Sequence, residues 1–120
     1  MASCGGDRCN TPFGEGDSFD INQFSELNNP GGAVVINRGH KGILVRRISY
    51  NDFIAFECTC PRDHEVRLQS VEGWNYAIVY CPTCGSRFET EYGNPIDGSA
   101  TGCPLYQYNT SFDGQLLSIF

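Results

Sequence analysis

Basic residues are scarce in this chain. Lys and Arg number 8 of 120 residues, against 14 Asp and Glu, for a formal net charge of -6. A nucleic-acid partner asks for Lys and Arg gathered on one face, so this balance argues against one. Acidity instead favours solubility and steering toward a basic partner. Charge of either sign is thin at 18%, below the usual quarter. Long apolar runs are missing, and none reaches the eighteen or so residues of a membrane-spanning helix. No helical pattern persists beyond two turns, and no internal repeat stands out. No catalytic set is visible either: no nucleophile beside a His and an acid, no phosphate loop, no paired carboxylates in a plausible cleft. The length suits one domain with one modest core.

What the chain has in quantity is cysteine and glycine, at 7 and 14 residues. Four of the cysteines form two tight pairs, Cys58-Thr59-Cys60 and Cys81-Pro82-Thr83-Cys84. Each pair ends a strand-like run. Two loops at neighbouring strand ends can bring four sulfurs to one point, and four thiolates at one point make a metal site. In a reducing compartment so much cysteine reads as metal binding, whereas in an oxidising one disulfides compete. Cys4, Cys9 and Cys103 lie outside the pairs. Cys9 and Cys103 could form a disulfide; equally, Cys103 could be a small buried residue beside the site. His64, four residues after Cys60, is a nearby alternative ligand but reads as a solvent-facing loop residue. His40 lies in a Gly-rich turn and reads as surface.

Residues 1 to 18 read as a flexible lead, with Gly5, Gly6, Pro12, Gly14 and Gly16 and no apolar period. Asp20 to Leu27 reads as an irregular edge strand rather than a helical turn. From residue 33 the chain reads as β. Strands are expected at Ala33 to Ile36, Gly42 to Tyr50, Phe53 to Glu57, Glu65 to Gln69, Trp74 to Tyr80 and Arg87 to Thr90. Ser70 to Gly73 reads as a turn. Asp113-Gly114, between Leu105 to Asn109 and Gln115 to Phe120, is a strong hairpin signal. Tyr106 and Tyr108 should share one side of that hairpin, and Trp74 and the tyrosines read as strand and core residues. Turn signals every eight to twelve residues between β-branched and aromatic runs indicate an all-β sandwich or barrel.

Two strings, Cys58-Thr59-Cys60 and Cys81-Pro82-Thr83-Cys84-Gly85-Ser86-Arg87-Phe88, precede Gly98 to Leu105 and a closing hairpin. In that order they resemble the Rieske domain, over roughly residues 19 to 120. That family carries Cys-x-His in one loop and Cys-x-x-His-Gly-Ser-x-Phe in the next. The resemblance implies a Rieske-like antiparallel β fold with a two-loop metal-binding tip. The family histidines fall at Cys60 and Cys84 here. Asp63 and Ser86 stand about where some members carry extra loop cysteines. The implied reading is a small electron-transfer protein holding a [2Fe-2S] cluster through Cys58, Cys60, Cys81 and Cys84 and serving a redox partner or oxidoreductase. Its potential should drop toward the roughly -400 mV of all-cysteine centres. Gly85 and Ser86 would bind the cofactor by donating hydrogen bonds to its sulfurs. Two alternatives stay open: the same thiolates hold zinc in a non-redox module, or the pairs close as disulfides without metal.

Ala2-Ser3-Cys4-Gly5-Gly6 resembles the end of a bacterial lipoprotein signal. It implies a processed chain in the cell envelope, lipid-anchored at Cys4 or periplasmic. The alternative is a free cysteine in a disordered tail of a cytoplasmic protein.

Overall fold

The computed structural model describes residues 9–72 and 75–120. Cys4 and Trp74, which the sequence places at a lipid anchor and in a strand, lie outside the described residues.

Ten strands form among the described residues. They are β1 (Asp17–Asp20), β2 (Ala33–Ile36), β3 (Ile43–Arg47), β4 (Phe53–Glu57), β5 (Gln69–Glu72), β6 (Asn75–Tyr80), β7 (Arg87–Glu89), β8 (Gln107–Tyr108), β9 (Thr110–Phe112) and β10 (Leu116–Ile119). The helical content is two single 3-10 turns, Ile21–Gln23 and Ser25–Leu27. Every pairing between these strands is antiparallel. The fold is all-β, as expected. Its strands form three sheets, ordered β9-β10-β1, β2-β3-β4-β8 and β5-β6-β7.

The four-stranded sheet lies in the middle and is covered on both faces. Alternation along β3 and β4 divides their side chains between two clusters. Ile43, Val45, Phe53 and Ala55 join Phe19, Leu27, Leu117 and Ile119 in one. Leu44 and Phe56 join Leu68, Val79, Phe88 and Leu105 in the other. A strand buried on both faces reads as a continuous apolar run, which is what Ile43-Leu44-Val45 is. The single core expected from length is therefore two smaller ones.

Four local expectations are corrected. Asp20 accepts the Asn22 N–H at 2.8 Å. That cap ends β1 and starts a 3-10 turn, so Asp20 to Leu27 is not an edge strand. The fifth strand starts at Gln69 and runs through the expected turn, because pairing with Tyr80 and Val79 on β6 holds Gln69 and Ser70 extended. Asp113-Gly114 does form a hairpin, but between β9 and β10. Gln107 and Tyr108 pair instead with Phe56 and Ala55 on β4. Tyr106 and Tyr108 do share a side, where both contact the Phe13 ring, at centroid distances of 4.3 and 6.5 Å. Finally, the stretch from Cys9 to Ser18, read as part of a flexible lead, is tied to the fold. Cys9 forms a disulfide with Cys103, the Gly14 N–H donates to the Tyr108 hydroxyl, and Asp17 and Ser18 pair with β10.

Candidate metal centre

Two turns of the same design meet at the end of the molecule that carries β5-β6-β7. The first is Cys60-Pro61-Arg62-Asp63, and the second is Cys81-Pro82-Thr83-Cys84. In the first, the Asp63 N–H points at Cys60 Sγ at 3.3 Å. In the second, the Cys84 N–H points at Cys81 Sγ at 3.5 Å. Each turn is closed by its own backbone. Cys60 N–H donates to Val66 O at 3.0 Å, and Cys81 N–H to Ser86 O at 2.9 Å. Gly85 makes the sharp return of the second turn, with φ of +77° and its N–H given to Cys81 O at 2.8 Å.

The facing turns bring together Cys60, Asp63, Cys81 and Cys84, whose ligand atoms all lie within 4.8 Å of one another. Cys60 and Cys84 Sγ are 3.8 Å apart. Cys81 Sγ is 3.5 Å from Asp63 Oδ2. Cys60 and Cys81 are fully buried, while Asp63 and Cys84 are half-buried and open the group toward the surface.

Cys58 is not in this group. Its N–H bonds to Gly42 O and its carbonyl accepts the Leu68 N–H, while Thr59 bridges Arg67. The chain is thus still extended from 58 to 60. Residues two apart along an extended chain share a face but stand about 6–7 Å apart, so Cys58 and Cys60 lie in one buried cluster without Cys58 joining the four donors. The sequence pairs Cys58 with Cys60 as ligands and places Asp63 only at the position of an extra loop cysteine. The signal that marks Asp63 was present: Cys-Pro-x-Asp has the spacing of Cys-Pro-x-Cys.

Burial and amide dipoles compete at these thiols. Burial pushes the Cys58 thiol up to about 12. It also pushes Cys60 up to about 12, against the Asp63 and Arg62 amides that favour the thiolate. Cys81 is raised for the same reason, against the Cys84 and Thr83 amides. Burial opposes ionisation at Cys84 too, but the Ser86 hydroxyl and amide outweigh it and hold this thiol below its ordinary value. Ser86 Oγ lies 3.1 Å from Cys84 Sγ and accepts the Ala100 N–H at 2.9 Å. Its own proton can therefore donate to a thiolate at Cys84. Ser86 stands where the sequence placed a sulfur donor, whereas the Gly85 N–H is taken by a carbonyl.

No family model matches the chain, and no curated protein does. Among solved structures it is similar to the ferredoxin of carbazole 1,9a-dioxygenase from Nocardioides aromaticivorans IC177. The two are 18% identical over 91% of this chain and 96% of that one, with a TM-score of 0.49. It is also similar to a chain in the complex of reduced oxygenase and oxidized ferredoxin in carbazole 1,9a-dioxygenase. Here identity is 24% over 79% of this chain and 85% of that one, with a TM-score of 0.49.

Cys60, Asp63, Cys81 and Cys84, three sulfurs and an oxygen, lie close enough together to share one ion. His64 is exposed, with Nε2 2.9 Å from Pro61 O, consistent with the loop role expected of it. His40 is exposed as expected but has partners in the fold, with Nδ1 3.0 Å from Thr59 Oγ1.

Proposed function

We propose that this chain is a small metal-thiolate electron carrier of Rieske-type architecture, with iron bound at its tip by Cys60, Cys81 and Cys84. One observation carries the reading: three thiols converge within 4.8 Å at a surface-reaching tip. Both clusters are rich in Phe, Leu, Ile and Val. A structural metal typically stands in for such a core, so this chain has less need of one. Iron on thiolates supplies a redox couple whose potential depends on ligand type, hydrogen bonds to sulfur and exposure. The chain's own residues set each of these. Asp63 and Cys84 amides point at sulfur, the Ser86 hydroxyl is placed to donate to a thiolate at Cys84, and Pro61 is buried while Cys84 is half-buried. The string from Cys81 to Phe88 adds its resemblance to the Rieske motif.

The net charge of -6 favours a redox protein or oxidoreductase with a basic docking face. The Cys9–Cys103 disulfide supports an oxidising compartment, in keeping with an envelope location. A second reading has one specific support. The oxygen donor Asp63 sits among the sulfurs, and zinc accepts sulfur and oxygen alike. The test is metal analysis, a visible spectrum and a potentiometric titration of protein purified without oxygen. A coloured iron protein with a reversible couple is the expected result. A colourless zinc protein would replace the carrier by a non-redox module.

A further inference from the structure

We infer that the tip is built for a single tetrahedral ion, with Asp63 as its fourth ligand and Cys58 outside the coordination sphere. This rests on the metal-binding half of the reading above and not on the choice of iron.

Three observations lead there. First, the two turns repeat one plan: cysteine, proline, a free position, then a second donor. Asp63 occupies in one turn the place that Cys84 occupies in the other. The amide at that position points back at the first sulfur in both, at 3.3 and 3.5 Å. Second, two of the six edges between donors match one ion. Donors about 2.0–2.3 Å from a tetrahedral centre stand about 3.3–3.8 Å apart. The measured edges are 3.8 Å from Cys60 to Cys84 and 3.5 Å from Cys81 to Asp63. Third, the candidate that would restore an all-sulfur set is held away. Cys58 is held just past β4 by backbone bonds to Gly42 and Leu68 and is not among the donors within 4.8 Å of one another. Three thiolates and a carboxylate carry four negative charges, so the site asks for a cation of at least two charges. Arg62, 3.7 Å from Asp63 Oδ2, offsets part of the remainder.

The experiment is a titration of the full chain, disulfide intact and free of metal, with Co2+ alone in the absence of oxygen. The expected result is saturation at one ion per chain, with tetrahedral ligand-field bands and thiolate-to-cobalt charge transfer. Asp63→Asn should loosen binding by more than the roughly tenfold to hundredfold typical of a residue outside the coordination sphere. Asp63→Cys should instead bind and strengthen the charge-transfer band, since a fourth thiolate is added. Cys58→Ala, checked for folding by circular dichroism, should keep both stoichiometry and affinity. Failure to bind Co2+, unchanged affinity in Asp63→Asn, or lost binding in folded Cys58→Ala would overturn the inference. So would two irons and two labile sulfides in the isolated protein, a result that would leave the electron carrier standing. Zinc in the isolated protein with one Co2+ site would do the reverse.

Discussion

Glu57 is a carboxylate with no exposed surface. It accepts the His40 and Lys41 N–H groups at 2.9 and 2.7 Å, the Thr59 hydroxyl at 2.7 Å and the Tyr108 hydroxyl at 2.6 Å. The four donors come from the turn after β2, the strand into the site and β8, so one side chain ties these elements together. Removing it strands the buried Thr59 and Tyr108 hydroxyls. Glu57→Ala should therefore cost about 3 kcal/mol or more in chemical denaturation. Tyr108 adds a pH dependence. Burial first, then its bond to Glu57, raises its pKa well above the ordinary 10.0. The fold thus favours the protonated phenol. Its stabilisation is fully present below about pH 10 and is lost as pH rises above that value. Tyr108→Phe should be less stable at neutral pH by about 1 kcal/mol. Above pH 10 its stability should fall less steeply than that of the parent, as denaturation across a pH series would show. The Tyr108 partnership was not legible in sequence, because Glu57 and Tyr108 are 51 positions apart.

At the scale of elements, the loop after β7 depends on one backbone position. Glu89 Oε1 accepts the Glu91 and Tyr92 N–H groups at 2.8 and 2.7 Å. Gly93 then turns the chain with φ of +83°, against the Phe56 ring. A Cβ there would lie 2.6 Å from Phe56 Cε1. Gly93→Ala meets a backbone cost of about 1–2 kcal/mol and a clash in the core as well. The expected loss, about 2 kcal/mol or more, can be read from the denaturation midpoint. The strands themselves were largely legible. Phe53 to Glu57 and Ala33 to Ile36 fall where alternation and β-branched residues put them. The first metal turn was half legible. Cys60 stood out by type, but Asp63 read only as the place where some Rieske domains carry an extra loop cysteine until the fold set its turn against Cys81 and Cys84.

For the whole molecule, the disulfide is the widest constraint. Cys9 and Cys103 are 94 positions apart in sequence, with Cα atoms 5.5 Å apart. Closing so long a loop removes much freedom from the unfolded chain, typically about 2–4 kcal/mol. The double variant Cys9→Ser, Cys103→Ser should lose about that much stability and still bind one Co2+, because neither residue is among the four donors. Loss of the ion along with the disulfide would mean that the bridge also holds the tip in shape.

Sequence alone determined what depends on neighbours along the chain. The all-β class, several strands, the Asp113-Gly114 turn and the presence of a cysteine-rich site follow from local pattern and composition. Tertiary structure decided what depends on segments far apart. It chose which cysteines converge, because the extended chain past β4 holds Cys58 about two residue rises from Cys60. It placed Asp63 among the sulfurs, paired Cys9 with Cys103, and divided the apolar residues between two faces of one sheet. Each is a meeting of distant segments, and neither residue type nor local period records which segments meet.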